Sequence, residues 1–168
     1  MKKHLGSFFI MISIALAASS AMSTEHQHGE HQQALTADSN APADVKLHGD
    51  CAYCGMNRGK FAHSRMLITY ADGKSTATCS IHCAAIDLKN SKGAAIKSVQ
   101  VGDFNTKVLI DAEKAFWVIG GDRRGVMTKT PKWAFAEKTA AEAFIKDHGG
   151  KLATYHEALS LAEKDGGK

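Results

Sequence analysis

All four cysteines of the chain fall into two close pairs, Cys51-x2-Cys54 and Cys79-x3-Cys83, with 24 residues between the pairs. No other feature narrows the fold as much, because the stretch between the pairs reads as a β-hairpin. "RMLITYADGKSTATCS" contains a strand from Met66 to Tyr70, an Asp72-Gly73 turn and a return strand from Ser75 to Cys79. Ser80 is placed to cap a helix, "IHCAAIDLK", that stops near Gly93. Cys83 then lies in the first turn of that helix. A fold that joins the two pairs must bring a loop, a strand end and a helix start to one point.

The pattern continues with a strand in "AIKSVQVGDF" and a short one in "TKVLIDA", which completes a ββαβ unit. The second half repeats the plan. "KAFWVIGG" and "PKWAFAE" read as strands, and "TAAEAFIKDHGG" as a helix capped by Thr139, with Glu142 completing a capping box and Gly149 ending it. "KLATY" is a third strand, and Thr154 with Glu157 opens a last helix, "YHEALSLAEK". The order of elements predicts an α+β protein of two tandem ββαβ lobes, the first over about 47–112 and the second over about 113–165.

Ahead of these lobes the chain changes character twice. Lys2 and Lys3 precede an apolar run from Phe8 to Ala18 and then small residues, the pattern of a secretory signal over 1–23, cut after Ala21 or Ser23. The run is shorter than the ~20 residues of a membrane span, although an uncleaved signal would act as an anchor. Residues 24–46 are polar, lack an apolar period and read as a flexible, histidine-bearing linker. His26, His28 and His31 within it are spaced for weak capture of a divalent metal. A cut after Ser23 would leave Thr24-Glu25-His26 at the amino terminus, a square-planar Cu(II) chelator. These features predict export to an oxidising compartment, the periplasm. With 21 Lys and Arg against 17 Asp and Glu, and no basic stripe with interleaved aromatics, nucleic acid is not an expected partner.

Four chemistries suit the cysteines. Structural disulfides are one, with three connectivities open. A zinc knuckle is the second, since close cysteine pairs joined by a hairpin suit a tetrahedral site. A redox pair at Cys51 and Cys54 is the third, but Gly55 and Gly59 oppose the immediate helix that lowers a reactive thiol's pKa. The fourth is Cu(I), a soft ion selected by thiolate and thioether. Cys54-Gly55-Met56 sets both ligand types side by side, and Met127 lies in a second glycine-marked loop, "GGDRRGVMTKTP". Met66, on a strand, reads as core. His48, His63 and His82 read first as ordinary surface or core histidines and second as neighbours of the sulfur site. Cys83, at the third residue of its helix, is expected to be the most acidic thiol.

"CAYCGM", "TCSIHCA", "DAEKAFWVIGG", "GVM" and "WAFAEKTAAEAFIKDHGGKLATYHEAL" together resemble the NosL family, the copper-binding accessory proteins of nitrous oxide reductase, over about residues 48–162. Cys79 and Cys83 also resemble a TRASH-type metal knuckle. The resemblance implies two ββαβ lobes, export and Cu(I) carriage, and it carries over Cys54, Met56 and Met127 as ligands. Family members are commonly lipoproteins anchored through a cysteine at the end of the signal, and no cysteine stands there in this chain. The expected function is therefore an exported Cu(I) metallochaperone, not an enzyme, held to the membrane by no lipid. It would serve a copper-dependent periplasmic enzyme such as nitrous oxide reductase, or that enzyme's assembly factors, in denitrification. Its metal ligands would be Cys54, Met56, Met127, Cys51, Cys79 and Cys83, with His26, His28 and His31 as weak auxiliaries. The alternatives are a zinc-stabilised, TRASH-like binding or interaction domain and a periplasmic thiol oxidoreductase.

Overall fold

Two sheets of the same connectivity organise the protein. The computed structural model describes residues 40–165, so the expected signal peptide and His26, His28 and His31 lie outside the described residues. After a short helix α1 (Ala43–Leu47) come strands β1 (Met66–Tyr70) and β2 (Ser75–Thr78), helix α2 (Ile81–Asn90), and strands β3 (Ile96–Gly102) and β4 (Leu109–Asp111). These strands form one sheet in the order β2-β1-β3-β4. Strands β5 (Phe116–Ile119) and β6 (Lys132–Phe135), helix α3 (Lys138–His148) and strand β7 (Lys151–Ala153) follow, with a sheet order β6-β5-β7, and then helix α4 (Tyr155–Asp165). In both sheets the first strand of the hairpin is central, its second strand flanks it on one side, and the strand after the helix flanks it on the other. All pairings are antiparallel. This is the α+β arrangement of two ββαβ units expected from the sequence, with β4 added to the first.

Local signals account for most of the boundaries. Thr154 and Glu157 form the expected capping box: the Glu157 carboxylate accepts from the Thr154 N–H at 2.7 Å, and the Thr154 hydroxyl accepts from the Glu157 N–H at 3.3 Å. Ser80 occupies the N-cap of α2 in an extended conformation, but its side chain bonds no helix N–H. Helix α3 begins earlier than the Thr139 cap predicts, at Lys138 with Glu137 as N-cap, so no box with Glu142 forms. A long-range bond explains the shift. The Asp103 carboxylate accepts from the Ala136 N–H at 2.8 Å and draws the chain off the sheet just before that point.

Alternation along β5 and β6 divides the interior in two. Trp117, Ile119 and Ala134 face a cluster that includes Met66 and Ile68 of β1, Ile81, Ala84 and Ala85 of α2, and Tyr155, Ala158 and Ala162 of α4. The alanines let α2 and α4 pack closely. Val118, Trp133 and Phe135 belong to a second cluster with Ala141 and Phe144 of α3, Val126, and three cysteines. Both lobes contribute residues to each cluster, so the lobes are units of topology and not of packing.

The polar tail expected to run to residue 46 gives way to structure earlier, because Asp44 on α1 is held by two buried arginines. Arg65 grips its carboxylate with Nε and Nη2, each at 2.8 Å, and Arg58 Nη2 adds a bond of 2.9 Å. Arg58 is fully buried, and its remaining donors go to the carbonyls of Asp44, His48, Met66 and Thr78. A buried guanidinium is tolerated only when paired and hydrogen-bonded in this way. Through Arg58, helix α1 is fastened to β1 and to the end of β2, one residue before Cys79.

Candidate metal centre

The first cysteine pair sits on a tight loop. An isolated antiparallel bridge between Asp50 and Asn57 closes its base. The Cys51 N–H donates to the Met56 carbonyl at 2.9 Å, and the Gly55 N–H donates to the Cys51 carbonyl at 3.0 Å. Gly55 has φ of +69°, a left-handed turn that a side chain would strain. The Ala52 N–H donates to the Ala77 carbonyl at 3.0 Å and lays the loop on β2. Cys79 follows that strand, with its carbonyl held by the Ser64 hydroxyl at 2.8 Å. Cys83 comes up from the first turn of α2.

The four sulfur atoms converge, all within 4.8 Å of one another. Cys79 Sγ lies 3.4 Å from Cys54 Sγ and 3.9 Å from Cys83 Sγ, and all four thiols are free. Cys51, Cys79 and Cys83 are buried, whereas Cys54 is exposed. The charge distribution reverses the expectation from the helix terminus. Hydrogen bonding with Cys83, and with Cys54, Cys51 and Ser80, outweighs burial and brings Cys79 down to about 5. The same bond, together with burial, pushes Cys83 up. Burial and the neighbouring thiols push Cys54 up to about 11, against a bond from the Met56 N–H. Cys79 is therefore the thiol whose pKa is lowered, because the other three sulfurs surround it.

Of the residues singled out from sequence, the structure brings Cys51, Cys54, Cys79 and Cys83 together. Met56 packs, half-buried, against the cluster that holds three of them. Met127 is 46% exposed and follows Val126, which is buried in that same cluster. Met66 is core. His63 packs among Phe61, Phe104 and Trp133, where burial, Lys107 and Arg123 lower its pKa. His82 leaves a buried Nδ1 without a partner, and His48 Nε2 lies 3.3 Å from the Ser75 hydroxyl. Two residues escaped notice. Tyr53, inside the first cysteine pair, bonds Asp87, one turn beyond Cys83 on α2. The signal was present, since an aromatic residue interrupts a loop of small and polar ones, and Asp87 repeats the helical face of Cys83 at i+4.

A solved structure described as the copper chaperone NosL from Shewanella denitrificans is similar to this chain, with a TM-score of 0.53 and 26% sequence identity. The match covers 64% of this chain and 87% of that one. A search of curated proteins found no match. The model of the NosL family matches residues 42–160, a span that takes in α1, both sheets and all four cysteines. The chain belongs to the NosL family.

Proposed function

We propose that this protein is an exported copper chaperone that binds Cu(I) through its cysteine cluster and passes it to a copper-dependent enzyme outside the cytoplasm, nitrous oxide reductase being the partner the family suggests. The observation that carries this reading is the convergence of four thiols with one of them, Cys54, open to solvent. Thiolates are the ligands Cu(I) prefers, and an exposed ligand gives an acceptor a place to begin exchange. Met56 beside the cluster, and Met127 on the loop after Val126, would add thioethers that favour Cu(I) over harder ions. In this scheme the chain carries metal and catalyses nothing. The histidines of the amino-terminal tail would gather Cu(II) weakly and leave tight Cu(I) binding to the sulfurs.

A second reading has its own support. The 3.4 and 3.9 Å separations bracket the ~3.8 Å edge of a tetrahedron with metal–sulfur bonds of about 2.3 Å, the geometry of a structural zinc site. Protein reduced and purified without oxygen, then offered equal amounts of Cu(I) and Zn(II), distinguishes the two. Copper bound one per chain, with zinc displaced, supports the carrier. Zinc retained against Cu(I) overturns it in favour of a fixed knuckle. No metal uptake, with a readily formed disulfide, would point instead to a thiol oxidoreductase.

A further inference from the structure

Cys83, Asp87 and Asn90 stand at i, i+4 and i+7 on α2 and share one face of the helix. The loop bearing Cys51 and Cys54 lies over that face. Its thiols meet Cys83, and one turn along, the Tyr53 hydroxyl donates to Asp87 Oδ1 at 2.8 Å. The second Asp87 oxygen accepts from the Tyr70 hydroxyl of β1. Asp87 is buried, although an apolar residue would suit a core-facing helix position without the cost of dehydrating a carboxylate. Its oxygens are each taken by a phenol, and one of those phenols belongs to the cysteine loop.

The loop therefore has two anchors. The Ala52 N–H fastens it to β2, the strand that leads to Cys79. Tyr53 fastens it to α2, the helix that carries Cys83. Without the second anchor the loop keeps its attachment beside Cys79 but can swing away from Cys83. We infer that Tyr53 is the positioning residue of the metal centre: its hydroxyl, bonded to Asp87, holds the Cys51–Cys54 loop closed over Cys79 and Cys83 and so sets how fast a bound metal leaves. The inference rests on the four thiols being the metal's ligands. Tyr53 is 39% exposed, which leaves part of it at the surface beside the cysteine loop.

The test uses the full chain loaded with Cu(I) and mixed with an excess of a chromogenic Cu(I) chelator. Tyr53→Phe should release copper about threefold to tenfold faster than wild type, the factor that one net hydrogen bond is worth. Asp87→Ala should do the same, the double variant should be no faster than Asp87→Ala alone, and Asp87→Asn, which keeps an acceptor oxygen, should recover most of the wild-type rate. Tyr70→Phe removes the other bond to Asp87 without touching the loop and should stay within about twofold of wild type. In metal-free protein, amide exchange at Gly55 should quicken in Tyr53→Phe, a readout independent of copper. A wild-type release rate and Gly55 exchange rate in Tyr53→Phe, or an equal acceleration in Tyr70→Phe, would overturn the anchor while leaving the thiol site intact. Failure of wild type to take up Cu(I), or undiminished binding by Cys54→Ser, would overturn the four-thiol reading and the anchor with it. Should Asp87→Ala not fold, Tyr53→Phe and Asp87→Asn still decide.

Discussion

Cys54 Sγ lies 3.4 Å from Cys79 Sγ across 25 positions of sequence, joining the open thiol of the centre to its most acidic buried one. The contact pairs an exposed sulfur with a buried one whose pKa is lowered.

Titration of the reduced, metal-free protein, followed by ultraviolet thiolate absorbance, should therefore show a first ionisation near pH 5, and Cys79→Ser should abolish it. Cys54 should ionise only toward pH 11, and Cys83 later than an ordinary thiol. Since Cys54 and Cys83 hold their protons at neutral pH, metal binding must displace them, and affinity should weaken as the pH falls. Loss of the first step in Cys83→Ser with its retention in Cys79→Ser would show that the helix terminus governs ionisation after all.

Met56→Leu conserves size and should cost less than about 1.5 kcal/mol of stability. Met127→Leu, at an exposed position, should change stability by less than about 0.5 kcal/mol. Both should lower Cu(I) affinity in chelator competition while leaving zinc affinity unchanged. Cu(I) held as tightly as by wild type in both variants would make the thioethers bystanders and leave the copper to the thiolates.

Asp44→Ala should destabilise the protein by about 3–5 kcal/mol in urea unfolding, because it strands the buried charges of Arg58 and Arg65. Burial alone would raise the Asp44 carboxyl, but the hydrogen bond and charge of Arg65, with Arg58, bring it below its ordinary value of 3.8. The stabilisation is present above that value and is lost as the pH falls through the lower folded one. A stability profile of Asp44→Ala that is as steep in acid as wild type would assign the acid loss to other groups.

Gly102→Ala should be among the most damaging single-methyl changes, at about 2 kcal/mol or more, since the added Cβ would fall 2.1 Å from the Ala62 carbonyl oxygen. There β3 runs against the segment entering β1, with the Gly102 N–H bonded to the Arg65 carbonyl at 2.8 Å. Gly49→Ala, with no atom nearer than 3.8 Å, is the control and should stay within about 0.5 kcal/mol. Equal melting temperatures for the two variants would show that the chain yields at Gly102.

Much of this protein was legible from sequence because its signals are local. The Asp72-Gly73 turn sets the hairpin, Thr154 and Glu157 start the last helix within four residues, and the hairpin between the cysteine pairs makes their meeting a matter of short-range geometry. Where a distant partner competes, local signals fail. Thr139 lost the start of α3 to Asp103, the polar segment at Asp44 was ordered by two arginines later in the chain, and Cys83 lost its predicted acidity to Cys79. The sequence by itself determined the order of elements and which four cysteines could converge. Only the tertiary structure decided which thiol is lowered, which is open, and that Tyr53 reaches Asp87, because those properties depend on distances between residues tens of positions apart.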